Sequence, residues 1–175
     1  MSEDAIAPIA AVVYAPTDHI EPLFVALAQV LRERSVRLGG VLQHDIPSAI
    51  DDPCAMELEN LNDGSRFALS QELGSGSEAC RLDPGSLAHA GMAVRTAVEA
   101  GAELIIINKF GAQEASGSGL RAEMALAVVA GVPLLTAVGA RFLPEWQDFT
   151  GGAAVELAPE LDAMIAWCTG VLGRD

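Results

Sequence analysis

The sequence predicts a three-layer α/β fold: a mostly parallel sheet, helices on both of its faces, and one β-hairpin insertion. Three observations predict it. The apolar, charge-free runs Pro8–Tyr14, Leu104–Ile107 and Val132–Val138 have the length and continuity of strands buried on both faces. Helix–Gly–x–strand junctions occur twice, at Ala100-Gly101-Ala102-Glu103 and Ala130-Gly131-Val132-Pro133, which is αβ-loop chemistry repeated by architecture rather than a sequence repeat. An apolar fraction of 51% with only 5% aromatics makes Ala, Leu, Val and Gly the interior of a layered protein, and 175 residues suit one domain, 1–175.

The elements follow in order. Pro8–Tyr14 is a strand, and Ala15-Pro16-Thr17-Asp18 is a turn. Asp18 is placed to cap a helix over Ile20–Ser35, where Leu23, Leu27, Val30 and Leu31 fall at helical spacing. Val36–Gln43 is the second strand, and this strand–helix–strand order predicts a parallel pair with a right-handed crossover. Residues 45–55, with Pro47, Asp51, Asp52 and Pro53, read as a loop. Met56–Leu61 alternates like a half-exposed strand, Asn62-Asp63-Gly64-Ser65 is a hairpin turn, and Arg66–Gln71 is the returning strand. Gly74-Ser75-Gly76-Ser77 is short enough to be a loop within the domain. Asp83-Pro84 opens a helix, with Asp at the cap and Pro at the first position, that ends before Gly101. A strand over 103–108, a polar loop, a helix over Gly119–Ala130 closed by Gly131, and a strand over Val132–Val138 complete the pattern. Phe142–Phe149 is a short helix or turn, and Pro159–Leu172 a terminal helix.

Charge and composition exclude several function classes. A formal net charge of −14 argues against a nucleic-acid partner, because phosphate binding needs a basic face. A small anionic ligand stays open, but the field of the whole molecule opposes its approach, so its site must be built from fixed donors. No apolar run reaches the roughly 18–20 residues of a membrane span, so no membrane partner is expected. The acidic start Met1-Ser2-Glu3-Asp4 lacks a signal peptide's basic region, and the expected location is cytoplasmic. Cys54, Cys80 and Cys168 are widely spaced and read as small buried or half-buried thiols. His19, His44 and His89 stand at no metal-ligand spacing with them, so no metal or cofactor is expected. No Gly-x-Ser-x-Gly elbow precedes a helix, Gly74-x-Gly76 is no dinucleotide fingerprint, and no catalytic residue is assigned. Trp146 and Trp167 read as core or interface anchors.

In such sheets ligands bind outside the carboxyl ends of the strands, which places Tyr14–Asp18, Gln43–His44 and Asn108–Glu114 on one rim. Lys109, Gln113, Glu114 and Arg121 gather around one loop and one helix start. The segment Ala115-Ser116-Gly117-Ser118-Gly119 leads into that helix and is expected to offer free N–H groups to an anion. Two readings stay open: an oxyanion or phosphate-like site built with Lys109 and Arg121, or a solvated rim where Arg121 pairs with Glu114 or Glu123. Arg81 either pairs locally beside the Asp83 cap or reaches over the same rim.

The order of elements resembles a small archaeal and bacterial nucleoside-triphosphatase family of the P-loop superfamily. Leu61-Asn62-Asp63-Gly64-Ser65-Arg66 resembles that family's inserted hairpin, and Asn108-Lys109-Phe110-Gly111-Ala112-Gln113-Glu114 sits in register with its Asp-Glu-x-Gly-Lys-x-Glu motif. Gly111 and Glu114 match, whereas Asn108 replaces the magnesium-linked Asp and Lys109 the catalytic Glu. The first loop, Tyr14-Ala15-Pro16-Thr17-Asp18-His19-Ile20-Glu21, has no glycine or lysine of a P-loop, and Pro16 removes a donor. Leu69–Gly74, Cys80–Gly85, Asn108–Arg121 and Trp146–Phe149 followed by Gly151-Gly152 resemble a bacterial domain-of-unknown-function family, numbered 2478, over nearly the whole chain. Association of that family with molybdenum-transport genes implies oxyanion or metal homeostasis.

Together these readings predict a P-loop-NTPase-like α/β protein without its nucleotide apparatus, acting as a small-ligand or oxyanion-binding accessory protein, with a homodimer as the expected assembly. The expected ligand-binding set is Arg81, Asn108, Lys109, Gln113, Glu114 and Arg121: the basic residues neutralise the anion, Asn108 and Gln113 orient it, and Glu114 positions Arg121 or accepts a ligand proton. The alternatives are a divergent nucleotide hydrolase with Glu114 as base, and an interaction module whose hairpin and Trp146 segment dock a partner.

Overall fold

The computed structural model describes residues 7–45, 56–68, 70–71, 81–82 and 84–173. Strand β1 (Ile9–Tyr14) leads to helix α1 (Ile20–Glu33) and strand β2 (Leu38–Asp45). The hairpin strands β3 (Met56–Asn60) and β4 (Arg66–Ala68) follow, then the short strands β5 (Ser70–Gln71) and β6 (Arg81–Leu82). Helix α2 (Pro84–Glu99), strand β7 (Leu104–Phe110), the one-turn helix α3 (Ala112–Ala115), helix α4 (Arg121–Val129) and strand β8 (Leu134–Gly139) come next. A 3-10 turn (Ala140–Phe142), helix α5 (Leu143–Thr150), strand β9 (Val155–Leu157) and helix α6 (Leu161–Leu172) complete the chain.

The main sheet has the order β4-β3-β2-β7-β8-β1-β9, and β5 pairs with β6 separately. The strands β2, β7, β8, β1 and β9 run parallel, with β3 and β4 extending the sheet antiparallel. The alternation of β7 explains the layers. Leu104 and Ile106 pack with Phe24, Leu27 and Leu31 of α1 and Met164 and Cys168 of α6. Ile105 and Ile107 face the other way, onto Val94 and Ala97 of α2, Met124 and Val128 of α4, and Trp146 of α5. Both faces of a central parallel strand are thus buried, which is why it reads as a continuous apolar run.

Several expectations change. β1 and β2 are parallel but not neighbours, since β8 and β7 lie between them. Asp18 does not cap α1: His19 holds the cap position without a side-chain hydrogen bond, and the Asp18 carboxylate turns back to Ala15. β9 was not foreseen because three residues are too few to show a pattern, and α4 begins at Arg121 rather than Gly119. The hairpin return splits into β4 and β5. The expected loops around residues 46–55 and 74–77, the Asp83 cap, Cys54 and Cys80 lie outside the described residues.

The most consequential difference is at β7, which runs through Lys109 to Phe110 instead of ending at 108. Ile107 pairs with Thr136 but Phe110 pairs with Val138, so three steps of β7 match two of β8. This extra residue is a β-bulge, the device by which a strand re-aims its side chains at a sheet edge. It returns the fully buried Phe110 to the Trp146 side of the sheet. The Thr136 hydroxyl donates to the Ile107 carbonyl at the irregularity, and the Asn108–Lys109 peptide is cis.

Candidate functional site at the carboxyl edge of the sheet

From β1 the chain crosses toward β2, and from β8 it crosses the opposite way to β9. The connections therefore diverge about the β1–β8 pair, the place where open α/β sheets hold ligands. A cleft of about 560 Å³ opens there. Tyr14 ends its β1 side, Gln43 and Leu58 come from β2 and β3, Asn108 and Lys109 from the bulge of β7, and Gly139 through Phe142 from the end of β8. A second cavity of about 430 Å³ adjoins it over the β1–α1 loop, sharing Tyr14, Pro16, Gln43, Asn108 and Lys109 and adding Asp18, His19 and Glu21.

The loop after β7 is held from inside. Glu114 is buried, and its carboxylate accepts the Gly111 N–H at 2.8 Å and the Leu120 N–H at 2.9 Å. One anionic side chain thereby ties both ends of a ten-residue connection, and hydrogen bonds to a charged acceptor are the stronger kind. Further amides are also used: Ala115 N–H goes to Gly111 O, Ser116 to Ala112 O, Gly117 to Glu114 O, Ser118 to Gln113 O, and Arg121 to Ser118 O. The expectation that this glycine-rich loop presents free N–H groups to an anion is therefore corrected for Ala115 through Ser118, whose amides are spent on main-chain oxygens of the same connection. The Gln113 side chain accepts from the Ser118 hydroxyl at 3.0 Å.

Arg121 forms neither ion pair considered from the sequence. Its guanidinium donates to the Glu114 main-chain oxygen at 3.1 Å and lies 4.7 Å from the Phe149 ring centroid. Glu123 pairs with Arg95 instead, at 3.5 Å. Trp146 is buried against Phe110 and Phe149, so its indole is a core anchor and not a docking surface.

The β1–α1 loop stands where a phosphate-binding loop would cradle its ligand, and its chemistry is inverted. The Ala15 N–H donates to the Asp18 carboxylate at 2.8 Å, and the Asp18 N–H to Ala15 O at 2.9 Å. An internal anion thus takes a donor that a phosphate would need. Nearby, His44 is buried between two carboxylates, with Nδ1 2.9 Å from Glu21 and Nε2 2.9 Å from Glu59. Glu59 also lies 3.5 Å from Arg32 and 3.8 Å from Arg66. This network clamps α1, β2 and the hairpin together beside the cleft.

The cleft brings together Asn108, Lys109, Gln113 and Glu114 of the expected set. Arg121 is not in its lining, and the Arg81 side chain lies outside the described residues. The sequence reading missed Arg141, which lines the cleft and lies 4.6 Å from the Phe142 ring centroid. It follows the β8 run by three residues, so the strand-end rule already applied to Asn108 would have found it. Among the described residues, neither Lys109 nor Arg141 enters an ion pair, and no group of three His, Cys, Asp or Glu is arranged to hold a metal. No helix among them is long and apolar enough to cross a membrane.

Fold and site together define an α/β protein of the P-loop-NTPase-like class whose first loop lacks the phosphate-binding residues. The solution structure of a human cancer-related nucleoside triphosphatase superposes with a TM-score of 0.64 over 95% of this chain and 96% of that one, at 14% identity, a likeness of fold. The chain belongs to the family described as protein of unknown function DUF2478, whose model matches residues 9–167. It is 40% identical over 159 residues to the molybdenum import ATP-binding protein ModC 2 of Bradyrhizobium diazoefficiens. That match takes in 91% of this chain but 18% of the relative, so the chain spans under a fifth of that protein's length.

Proposed function

We propose that this protein is a small-anion-binding accessory protein on an NTPase scaffold, with an oxyanion such as molybdate as its first ligand to test. The observation that carries the reading is the pair Lys109 and Arg141, two cations without ion-pair partners among the described residues that line one cleft at the divergence of the sheet. In a molecule of net charge −14, unpaired cations converging on a concavity are the fixed donors that an anion requires. Asn108 and the Gln113 amide supply orienting hydrogen bonds. The molybdenum connection is carried by the name of the Bradyrhizobium relative.

The hydrolase alternative meets two obstacles in the same geometry. Its base would be Glu114, whose carboxylate braces the Gly111–Leu120 loop, and its triphosphate would meet Asp18 and Glu21. Thermal shift with molybdate, tungstate, sulfate, phosphate and Mg·ATP tests the reading. A ligand at 100 times its Kd stabilises the fold by about 2.7 kcal/mol. The expected result is a shift with at least one bare oxyanion that falls in both Lys109→Ala and Arg141→Ala. A shift only with Mg·ATP, accompanied by phosphate release, overturns it.

A further inference from the structure

The cleft has room for more than the small oxyanion head group. Water occupies about 30 Å³ per molecule, so an ion of five heavy atoms fills only about 150 Å³. The cleft holds about 560 Å³, inside the range of about 300–1,000 Å³ typical of organic-ligand sites. Its walls divide by chemistry. Lys109, Asn108 and Gln113 lie on the β7 side, while Tyr14 at the end of β1 and Phe142 after β8 lie opposite, with Arg141 beside Phe142. A methyl group built on Gly139 would lie in ordinary contact with the Tyr14 ring at 3.7 Å and the Phe142 ring at 3.9 Å, so both aromatics border the space over Gly139.

We infer that the ligand is an organic anion with a flat ring: its charged head lies at Lys109 and Arg141, and its ring enters the space over Gly139 bordered by Tyr14 and Phe142. This inference rests on the anion-binding reading of the same cleft. The charge balance limits the head to one or two negative charges. Two lining cations, Lys109 and Arg141, stand beside one lining carboxylate, Glu114, which is held by the Gly111 and Leu120 N–H groups, whereas the adjoining cavity, where a polyphosphate tail would extend, carries Asp18 and Glu21. Stacked and edge-on aromatic contacts favour a planar ring over an aliphatic group of equal area.

The test compares ligands that share a head group: inorganic phosphate, methyl phosphate and phenyl phosphate, titrated calorimetrically into the full chain, with ATP as a fourth arm. Phenyl phosphate is expected to bind at least about tenfold tighter than methyl phosphate. Gly139→Ala should weaken phenyl phosphate more than methyl phosphate and so remove that advantage. Gly139 has φ −62° and ψ 138°, so alanine fits its backbone. Phe142→Leu is a second variant expected to weaken phenyl phosphate more than methyl phosphate, and Lys109→Ala should weaken both esters alike. Equal binding of the two esters overturns the ring site and leaves the anion reading standing. Binding of neither ester overturns the ring site, and ATP binding tighter than phenyl phosphate overturns the limit on charge.

Discussion

Glu114 shows how a residue's role depends on what its atoms touch. Its position in a motif made it a candidate base or ligand group, but its carboxylate closes the loop from Gly111 to Leu120. Glu114→Gln keeps one acceptor and turns an amide NH₂ toward the other N–H. We predict a loss of about 1–3 kcal/mol in chemical denaturation, with faster hydrogen exchange at Gly111 and Leu120. Unchanged stability and exchange would contradict the bracing role. Cys168 is the second case. Burial raises its thiol from 9.0 to about 12. Between those values the unfolded chain has lost a proton that the native chain keeps, so stability falls as pH rises from 9 toward 12. Cys168→Ala should flatten that decline, and the native thiol should resist alkylation at neutral pH. These roles were not legible beforehand: a sequence names an acid or a thiol, whereas burial and hydrogen-bond partners come from residues distant in the chain. Lys109 was legible, because a cation directly after an apolar strand run must emerge at a sheet edge.

At the scale of elements, legibility followed length and periodicity. α1 and the cores of β1, β7 and β8 were found because fourteen helical residues, or a run of buried aliphatics, leave a pattern that local chemistry cannot mimic. β9 and β6, of three and two residues, carry no such pattern and exist through pairing. Neither did local order reveal that β1 and β2 are separated by β8 and β7, since the separation depends on where later strands insert. The bulge in β7 is the element that makes the site, and its cause lies in register: Phe110 must reach the Trp146 layer. The Gly39-Gly40 pair permits the close approach of β2 to its neighbours. Gly40 has φ +112°, and a Cβ there would collide with the Ile106 carbonyl, while one on Gly39 would meet the Ala97 Cβ. We predict that Gly40→Ala costs about 3 kcal/mol or more, read as a lowered Tm, because neither the φ nor the β7 backbone can yield cheaply. A variant of native stability would contradict the register of β2 on β7.

For the whole molecule, the account joins an acidic surface to one cation-bearing cleft. A formal charge of −14 repels anions at long range, so binding must come from short-range donors, and salt should screen the repulsion as well as the attraction. The P-loop-NTPase-like topology supplies the place, and on the proposed reading Asp18 in the first loop and Asn108 and Lys109 at the end of β7 favour a small anion there over a triphosphate. The mostly parallel, layered architecture was legible from the order of elements, though the strand order was not. The aromatic side of the cleft was not, because Tyr14 and Phe142 are far apart in sequence and meet only across the β1–β8 pair. The most direct test of the central claim is an amide chemical-shift titration of the folded protein with molybdate and, separately, with Mg·ATP. The account predicts saturable shifts with molybdate centred on Lys109, Gly111 and Gly139–Phe142, lost in Lys109→Ala. Shifts confined to Ala15–Glu21 with Mg·ATP, and none with molybdate, would contradict it.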